Sequence, residues 1–562
     1  MLFRSFGKMK SFIQKIGVDA YFVVMVLIAI SLPFSKFTLS VFQFALLIIW
    51  ICDGVDWKLK KSLPVSNDRS FAIFYGLHTG FLLLRGNFVK KFTDFLKNPV
   101  AVAMASLYLL HVAGLLTTNN FDYAMKDLRV KLPLLFFPVV MSTMPRFTAI
   151  KTRILLGFFV AAVLTGTMIS LWAYLQKDFK DIREISLFIS SVRFSLMVAF
   201  VFFILWFELL EPKRWGVRTK FILFLLTIWL VMYLILLESV IGLVGIVIIS
   251  GVLLMREALK NQKIIIKVLA VSLFTVMISA LGWYTYSAVE ELTYRPKLDI
   301  SKLDKYSRLG NAYRHDTLNF GVEDGRYVGI YFTEKELSEA WNKRSSYDFY
   351  GKDEAGQLIM YTVIRYLTSA DLRKDADGVA ALSAEDIRFI EKGIANKRYV
   401  DSPGLKNRIS KIITGYEQFT GLNNPNGSSV MQRVEHIKAS MFLIKENFWI
   451  GVGTGDMPDS FQSAYNKIQS RLNPEVRWRS HNQYLSMLIA FGIFGLIWFI
   501  FTLVYPFISS KGFLQSAFLS FWVIMLLSML SEDTLETQIG VTLFAFFFSF
   551  FALSVNRKPA RV

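Results

Sequence analysis

Residues 476–500 read VRWRSHNQYLSMLIAFGIFGLIWFI: a polar strap carrying Arg477, Arg479 and His481 runs straight into an apolar stretch long enough to cross a bilayer. Basic residues beside a span ordinarily mark its cytoplasmic end. The side this strap faces therefore decides how the whole chain is threaded. It also decides whether the strap's charges are a topological flank or a site.

Apolar runs of similar length recur near 18–34, 37–53, 98–116, 128–143, 151–175, 193–211, 219–237, 240–256, 264–284, 484–507, 514–531 and 537–555. With 54% hydrophobic residues, this pattern predicts an all-α polytopic membrane protein of about twelve transmembrane helices. The basic start MLFRSFGKMKSFIQKIG has no small-residue cleavage site after it and reads as an uncleaved signal anchor with its N-terminus inside. The run SFAIFYGLHTGFLLL at 70–84 has basic segments on both sides, so it is assigned as re-entrant or interfacial and not as a thirteenth span. The single cysteine, Cys52, excludes a disulfide framework.

With that assignment PRFTAIKTR, EPKRWGVRTK, REALKNQKIIIK and the tail NRKPARV fall inside, while TTNNFDYAMKD, QKDFKDIREIS and SEDTLETQ fall outside. Nine spans then make an N-terminal membrane domain over 1–284, and three make a C-terminal one over 481–562. The long polar segment 285–480 between spans 9 and 10 is a large, mostly helical periplasmic domain. Its net charge is only +2, against +18 for the rest of a chain whose total is +20. The positive excess therefore belongs to cytoplasmic loops, and no nucleic-acid partner is expected. Within 285–480, EKELSEAWNKRSSYDFYG, SAEDIRFIEKGIANK, GLKNRISKIITGYEQF and SVMQRVEHIKASMFLIKENF have helical spacing, NNPNGSS is a turn cluster, and WIGVGTGD is a tight glycine turn.

The strap thus lies on the outer face, where a positive-inside flank has no place. Interfacial snorkelling explains arginines but not an imidazole. Of the five histidines, His78 and His111 sit in apolar runs and are expected to be packed and hydrogen-bonded, and His315 is expected at a surface. His436 lies three residues after Arg433 on one helical face, and His481 stands at the membrane entry. No metal-ligand spacing, nucleophile elbow or nucleotide-binding loop occurs, so neither a metal nor a cofactor is expected. Histidine takes a proton near neutrality, and arginine binds phosphate oxygens through two parallel N–H groups. Together they suit a reaction with an alcohol acceptor and a lipid diphosphate leaving group.

The same residues resemble a known family. VRWRSHNQYLSMLIAFGIFGL is similar to the His-Asn-x-Tyr-Leu…Gly-(Ile/Val)-x-Gly-Leu signature of the O-antigen ligase and O-antigen polymerase superfamily, and RVEHIKASMFLIKENFWIGVGTGD to its arginine helix and glycine turn. LPFS, DLRVKLPLLFFPVV and SVRFSLMVAFVF look like the branch found in Bacteroidetes. The resemblance implies a metal-independent, inverting glycosyltransferase of the bacterial inner membrane, working at its periplasmic face. It would move a glycan from an undecaprenyl diphosphate donor to a lipid A-core acceptor. His481 matches the catalytic histidine, and Arg433 the arginine that engages the donor diphosphate. Many relatives carry Ser-Arg at the outer end of a middle span, where this chain has Ser239-Val240. The second phosphate contact then passes to Arg193, Arg129 or Lys131, with Arg479, Asn482 and His436 lining the substrate site. Asp456 is assigned as a turn cap. An O-antigen polymerase or a protein O-oligosaccharyltransferase would share the donor and differ in the acceptor. A flippase would need mid-membrane charges and two matched halves, which the chain lacks.

Overall fold

The computed structural model describes residues 19–53 and 69–555, apart from 177–178, 180, 213, 261–262, 295–296, 319, 402–403, 423 and 427. The basic segment of the expected signal anchor, the segment 54–68 and the tail NRKPARV lie outside the described residues.

The chain is mostly helical. Its first half contains α1 (Ala20–Ser31), α2 (Lys36–Cys52), α3 (Arg69–Leu96), α4 (Pro99–Ala113), α5 (Phe121–Lys131), α6 (Pro133–Thr143), α7 (Ala149–Gln176), α8 (Ser191–Leu210), α9 (Val217–Leu236), α10 (Val240–Lys260) and α11 (Ile264–Thr293). Short strands β1 (Arg314–Asp316), β2 (Val322–Glu323), β3 (Arg326–Tyr327) and β4 (Gly329–Phe332) follow, pairing antiparallel as β1 with β4 and β2 with β3. Then come α12 (Glu334–Arg344), α13 (Ile359–Ser369), α14 (Ala376–Ala380), α15 (Ala384–Glu391), α16 (Arg398–Asp401), α17 (Leu405–Leu422), α18 (Ser429–Glu446) and α19 (Met457–Lys467). The chain closes with α20 (Gln483–Ser509), α21 (Ser516–Ser531) and α22 (Gln538–Ser549). Among the described residues seven helices are long and apolar enough to cross a membrane: α4 with its following turn, α7 to α11, and α20. Four apolar helices, α1, α2, α21 and α22, are shorter.

The residues divide into two compact units. The second, 170–185 with 231–432, has a core in which Trp341, Phe349, Ile359, Tyr366 and Ile390 are fully buried. Its helix α15 begins with a capping box, in which Ser383 and Asp386 each bond the other's backbone N–H. The first unit, 1–169 with 186–230 and 433–562, holds the strap. Every residue from Ile539 to Ser549 is buried, as befits a helix apolar on all sides at the centre of a bundle. Phe547 is its hub, with ring centroids 4.8 Å from Phe159, 5.2 Å from Phe200 and 5.4 Å from Phe521.

One expectation is narrowed: residues 70–84 lie inside the single unbroken helix α3, which excludes the re-entrant alternative and not the interfacial one. The polar residues beyond the apolar run have work to do as helix. Lys91 Nζ donates to Trp50 O at 2.7 Å and Asn87 Nδ2 to Ile51 O at 2.9 Å, satisfying carbonyls at the end of α2.

The apolar helix after the strap is not continuous. Gly492 breaks α20 with φ 64° and ψ −168°, a region open essentially to glycine alone. The turn 448–454 packs against the break, and the two backbones share hydrogen bonds. Val452 N donates to Ile489 O, Gly453 N to Ala490 O, and Ile493 N to Phe448 O, each at 2.9 Å. The peptide groups released by the break thus find partners within the protein, which is what irregular backbone near a bilayer requires. A Cβ at Gly492 would stand 2.1 Å from Trp449 O, and one at Gly451 would stand 2.4 Å from Ala490 O. Gly492→Ala is therefore expected to cost roughly 3 kcal/mol or more. It should lower the melting temperature and the yield of monodisperse protein, whereas Gly282→Ala, with nothing within 4 Å of its Cβ, should leave both unchanged or slightly raised.

Candidate functional site

The strap is built to aim His481. Asn482 is the N-cap of α20: its side chain accepts from Leu485 N at 3.1 Å and its Nδ2 donates to Leu530 O at 3.0 Å. The residue before it, His481, adopts φ 49°, a left-handed conformation that costs a non-glycine residue of order 1 kcal/mol or more. Asp533 holds it there. Its Oδ2 accepts from His481 N at 3.0 Å, and its Oδ1 from Ser486 Oγ at 2.6 Å. Burial raises the Asp533 carboxyl above the ordinary range.

Arg433 and His436 arrive on α18, three residues apart and on one face. The His436 ring stacks on that of His481 with centroids 5.1 Å apart and planes 29° apart. His436 is 1% exposed, its Nε2 lies 3.1 Å from Val476 O, and its Nδ1 has no partner among the described residues. Burial pushes its pKa down to about 4, and the neighbouring His481 and Arg433 add to that.

Glu532 joins the parts. Its Oε1 accepts from Arg433 Nη2 at 2.6 Å, and its Oε2 faces His481 Nδ1 at 3.8 Å, near enough for charge and short of a direct hydrogen bond. Burial would raise the Glu532 carboxyl, but His481, Arg433 and Arg193 outweigh it and hold the group below its usual value. Arg193, in the first turn of α8, acts on the same loop, and its buried Nε has no partner among the described residues.

A second cluster anchors the strap. Arg479 donates to Glu536 and to the Tyr123 hydroxyl, so it is paired inside the protein and does not snorkel. Lys131 reaches the same Glu536 at 2.8 Å and Asp127 at 2.6 Å. Burial would raise Glu536, but Lys131 and Arg479 hold it well below the carboxylate range. Lys131 is thus already balanced by two carboxylates, while Arg129 is exposed and has no ion pair among the described residues.

The structure therefore brings His481, Arg433, His436, Arg193 and Asn482 to one place, puts Arg479 and Lys131 in the supporting cluster, and leaves Arg129 aside. Asp456, assigned as a turn cap, makes no side-chain cap bond at the start of α19; it accepts instead from the backbone N–H groups of Asn119 at 2.9 Å and Asn120 at 2.7 Å, at the entry to α5. His111 is buried, with Nδ1 2.9 Å from Leu107 O, and His315 lies in the second unit with Nε2 3.0 Å from Asp304 O. Ser239 also belongs to that unit, where its Oγ accepts from Gly242 N at 3.2 Å. Sequence reasoning missed Glu532, Asp533 and Glu536, reading SEDTLETQ only as an outer loop. Three carboxylates on the same face as a basic strap were the available signal. Among the described residues no group of three or more Asp, Glu, His or Cys is placed to hold a metal ion.

His436 generates a pH prediction. The unfolded chain takes up a proton near pH 6.5, while folded His436 resists until about pH 4. Stability should be full above pH 6.5 and fall as pH drops toward 4, by about 3 kcal/mol at most. Thermal melts across that window should show a decline that His436→Gln reduces. An equal decline in both proteins would assign it to other groups.

Residues 394–500 match the family model described as O-antigen ligase. No curated protein matches the chain. The matched stretch contains α18, the glycine turn, the strap and α20 through Ile500, and stops short of the acidic loop.

Proposed function

We propose that this chain, whose match over 394–500 supports membership of the O-antigen ligase family, is an inverting, metal-independent glycosyltransferase. In this reading it moves a glycan from undecaprenyl diphosphate to a lipid A-core sugar at the periplasmic face of the bacterial inner membrane. The observation that carries it is the sharing of Glu532 by His481 and Arg433, one imidazole and one guanidinium on a single carboxylate.

Glu532 attracts the Nδ1–H of His481, leaving Nε2 unprotonated as the base. The 3.8 Å separation tightens as the imidazole gains charge. The acceptor hydroxyl gives its proton to His481 while its oxygen bonds to the anomeric carbon. The bond from that carbon to the diphosphate oxygen breaks, and the electron pair leaves with the lipid diphosphate. Arg433 keeps N–H donors beyond those Glu532 takes, and Arg193 offers its unpaired Nε. Both meet charge that grows in the transition state, which is where such donors accelerate a reaction.

The topology proposed with this function counts twelve crossings: the seven long apolar helices, the four shorter ones and α6. It places 285–480 outside and 54–97 inside. In a Cys52→Ser background, an impermeant thiol reagent on intact cells should label Lys335→Cys and spare Lys90→Cys. The reverse pattern would refute the threading.

Transfer from purified lipid-linked glycan to lipid A-core tests the chemistry. His481→Ala should lose about 10²–10⁴-fold in rate while remaining folded. Arg433→Ala should lose about 10²-fold, and Arg433→Lys should recover little, since a point charge does not reproduce the fork. Glu532→Gln should fall between these variants and wild type. Arg479→Ala should mainly lower yield and melting temperature, because it strips a partner from buried Glu536. EDTA should change nothing. Near-normal transfer by folded His481→Ala protein would remove the base and with it the mechanism.

A further inference from the structure

A cleft lies in the first unit beside α19, separate from the His481–Glu532 contact. Its walls are the loop entering α5, the end of α18, the glycine turn and one face of α19. At about 570 Å³ it falls within the size range of small-molecule sites. Its lining is unlike theirs in one respect, because only Leu443 and Val452 are aliphatic; the other lining residues are Asn, Asp, Glu, Ser or Lys.

Hydrogen bonds fix the walls. Asp456 holds the two backbone N–H groups of the α5 entry, Asn120 Nδ2 donates to Asp459 Oδ2 at 2.8 Å, and Lys467 pairs with Glu446 at 3.0 Å. On α19, Asp459, Ser460, Ser463 and Lys467 recur at helical spacing and share the face turned to the cleft, while Phe461, Ala464 and Tyr465 are buried on the other. The hydroxyls of Ser460 and Ser463 have no hydrogen-bond partner among the described residues. The cleft therefore offers rigid, spaced donors and acceptors to a ligand rich in hydroxyls. Three carboxylates against one ammonium make it net negative, which repels phosphate and uronate. No metal-binding group forms there among the described residues. The loop that lines the cleft leads directly into α5, whose first-turn Tyr123 accepts a hydrogen bond from Arg479 of the strap, two residues before His481.

We infer that this cleft is a subsite for a neutral saccharide, binding sugars of a glycan substrate beyond the one that reacts. The inference rests on the glycosyl-transfer reading, and the glycan it holds belongs either to the donor or to the acceptor. Ser463 is exposed, so Ser463→Trp fills the cleft without disturbing the core.

The test uses the full-length protein in nanodiscs. In saturation-transfer NMR, chitotetraose or maltotetraose should receive saturation from wild type and lose it with Ser463→Trp, while tetragalacturonate should receive none. In transfer assays Ser463→Trp should raise KM at least tenfold for one substrate with kcat unchanged. Whether the donor or the acceptor KM moves identifies the source, and trimming that substrate to its reacting sugar should erase the difference. Unchanged KM for both substrates, absence of saturation with both neutral probes, or equal binding of tetragalacturonate would overturn the subsite. If wild type transfers nothing, the catalytic reading fails, and the NMR arm still decides the cleft.

Discussion

The backbone contact between the turn 448–454 and the break at Gly492 is the constraint on which the rest of the first unit depends. Hydrogen bonds run in both directions across it, from Val452 and Gly453 to the carbonyls of Ile489 and Ala490 and from Ile493 to Phe448. Glycines at 451 and 492 allow an approach that any Cβ would prevent. The contact is extended on the other side, where Thr454 Oγ1 donates to His111 O at 2.7 Å and Gly455 N to Thr118 Oγ1 at 3.1 Å. Two helix ends and one broken helix are thereby locked into a single hydrogen-bond network of backbone groups and threonine hydroxyls.

Registration matters because the residues of the candidate site are divided among segments far apart in sequence. The turn is the C-terminal end of α18, and the break lies one short helix after the strap. Fixing one against the other sets Arg433 and His436 opposite His481. The acidic loop after α21 then closes the arrangement with Glu532 and Asp533, which act on different atoms of the strap. Asp533 takes the backbone N–H and tolerates the left-handed φ, while Glu532 faces the ring. Position and electrostatics are thus supplied by adjacent carboxylates with separate duties.

Much of this was legible in the sequence, and the exceptions share a cause. The helical run that places Arg433 and His436 together, the glycine turn and the polar strap each announce themselves through local spacing or composition. Gly492 does not, because one glycine inside an apolar run looks like ordinary span, and only the arrival of residues 448–454 turns it into a break. Nor did 532–536, since nothing local distinguishes carboxylates that anchor a site from those that keep a loop solvated. For the run 70–84 hydropathy alone leaves a re-entrant turn open, but the helix continues past it, and there Asn87 and Lys91 find carbonyls on another helix. Lys131 had the right charge and neighbourhood for a phosphate ligand. Its two carboxylate partners come from its own helix and from a loop roughly four hundred residues away, and spacing cannot report the second.

The placement of carboxylates in a site proposed to receive a diphosphate follows from the cost of unpaired charge. A guanidinium withdrawn from water needs a counter-ion even when no substrate is bound, and an uncompensated one is strongly destabilising. Glu532 fills that role for Arg433 and, through its second oxygen, for any charge that appears on His481. A diphosphate entering the proposed site then exchanges one anion for another, so Arg433 keeps a partner throughout and the site need not collapse or flood between turnovers. Arg193 differs, because its Nε is buried without a hydrogen bond while its charge is felt by the same acidic loop. A donor held dry and unpaired is a standing loss of stability, and a ligand oxygen would recover it. Under the proposed function, the division of labour would be one arginine kept ready by a resident carboxylate and one whose donor only a substrate oxygen satisfies.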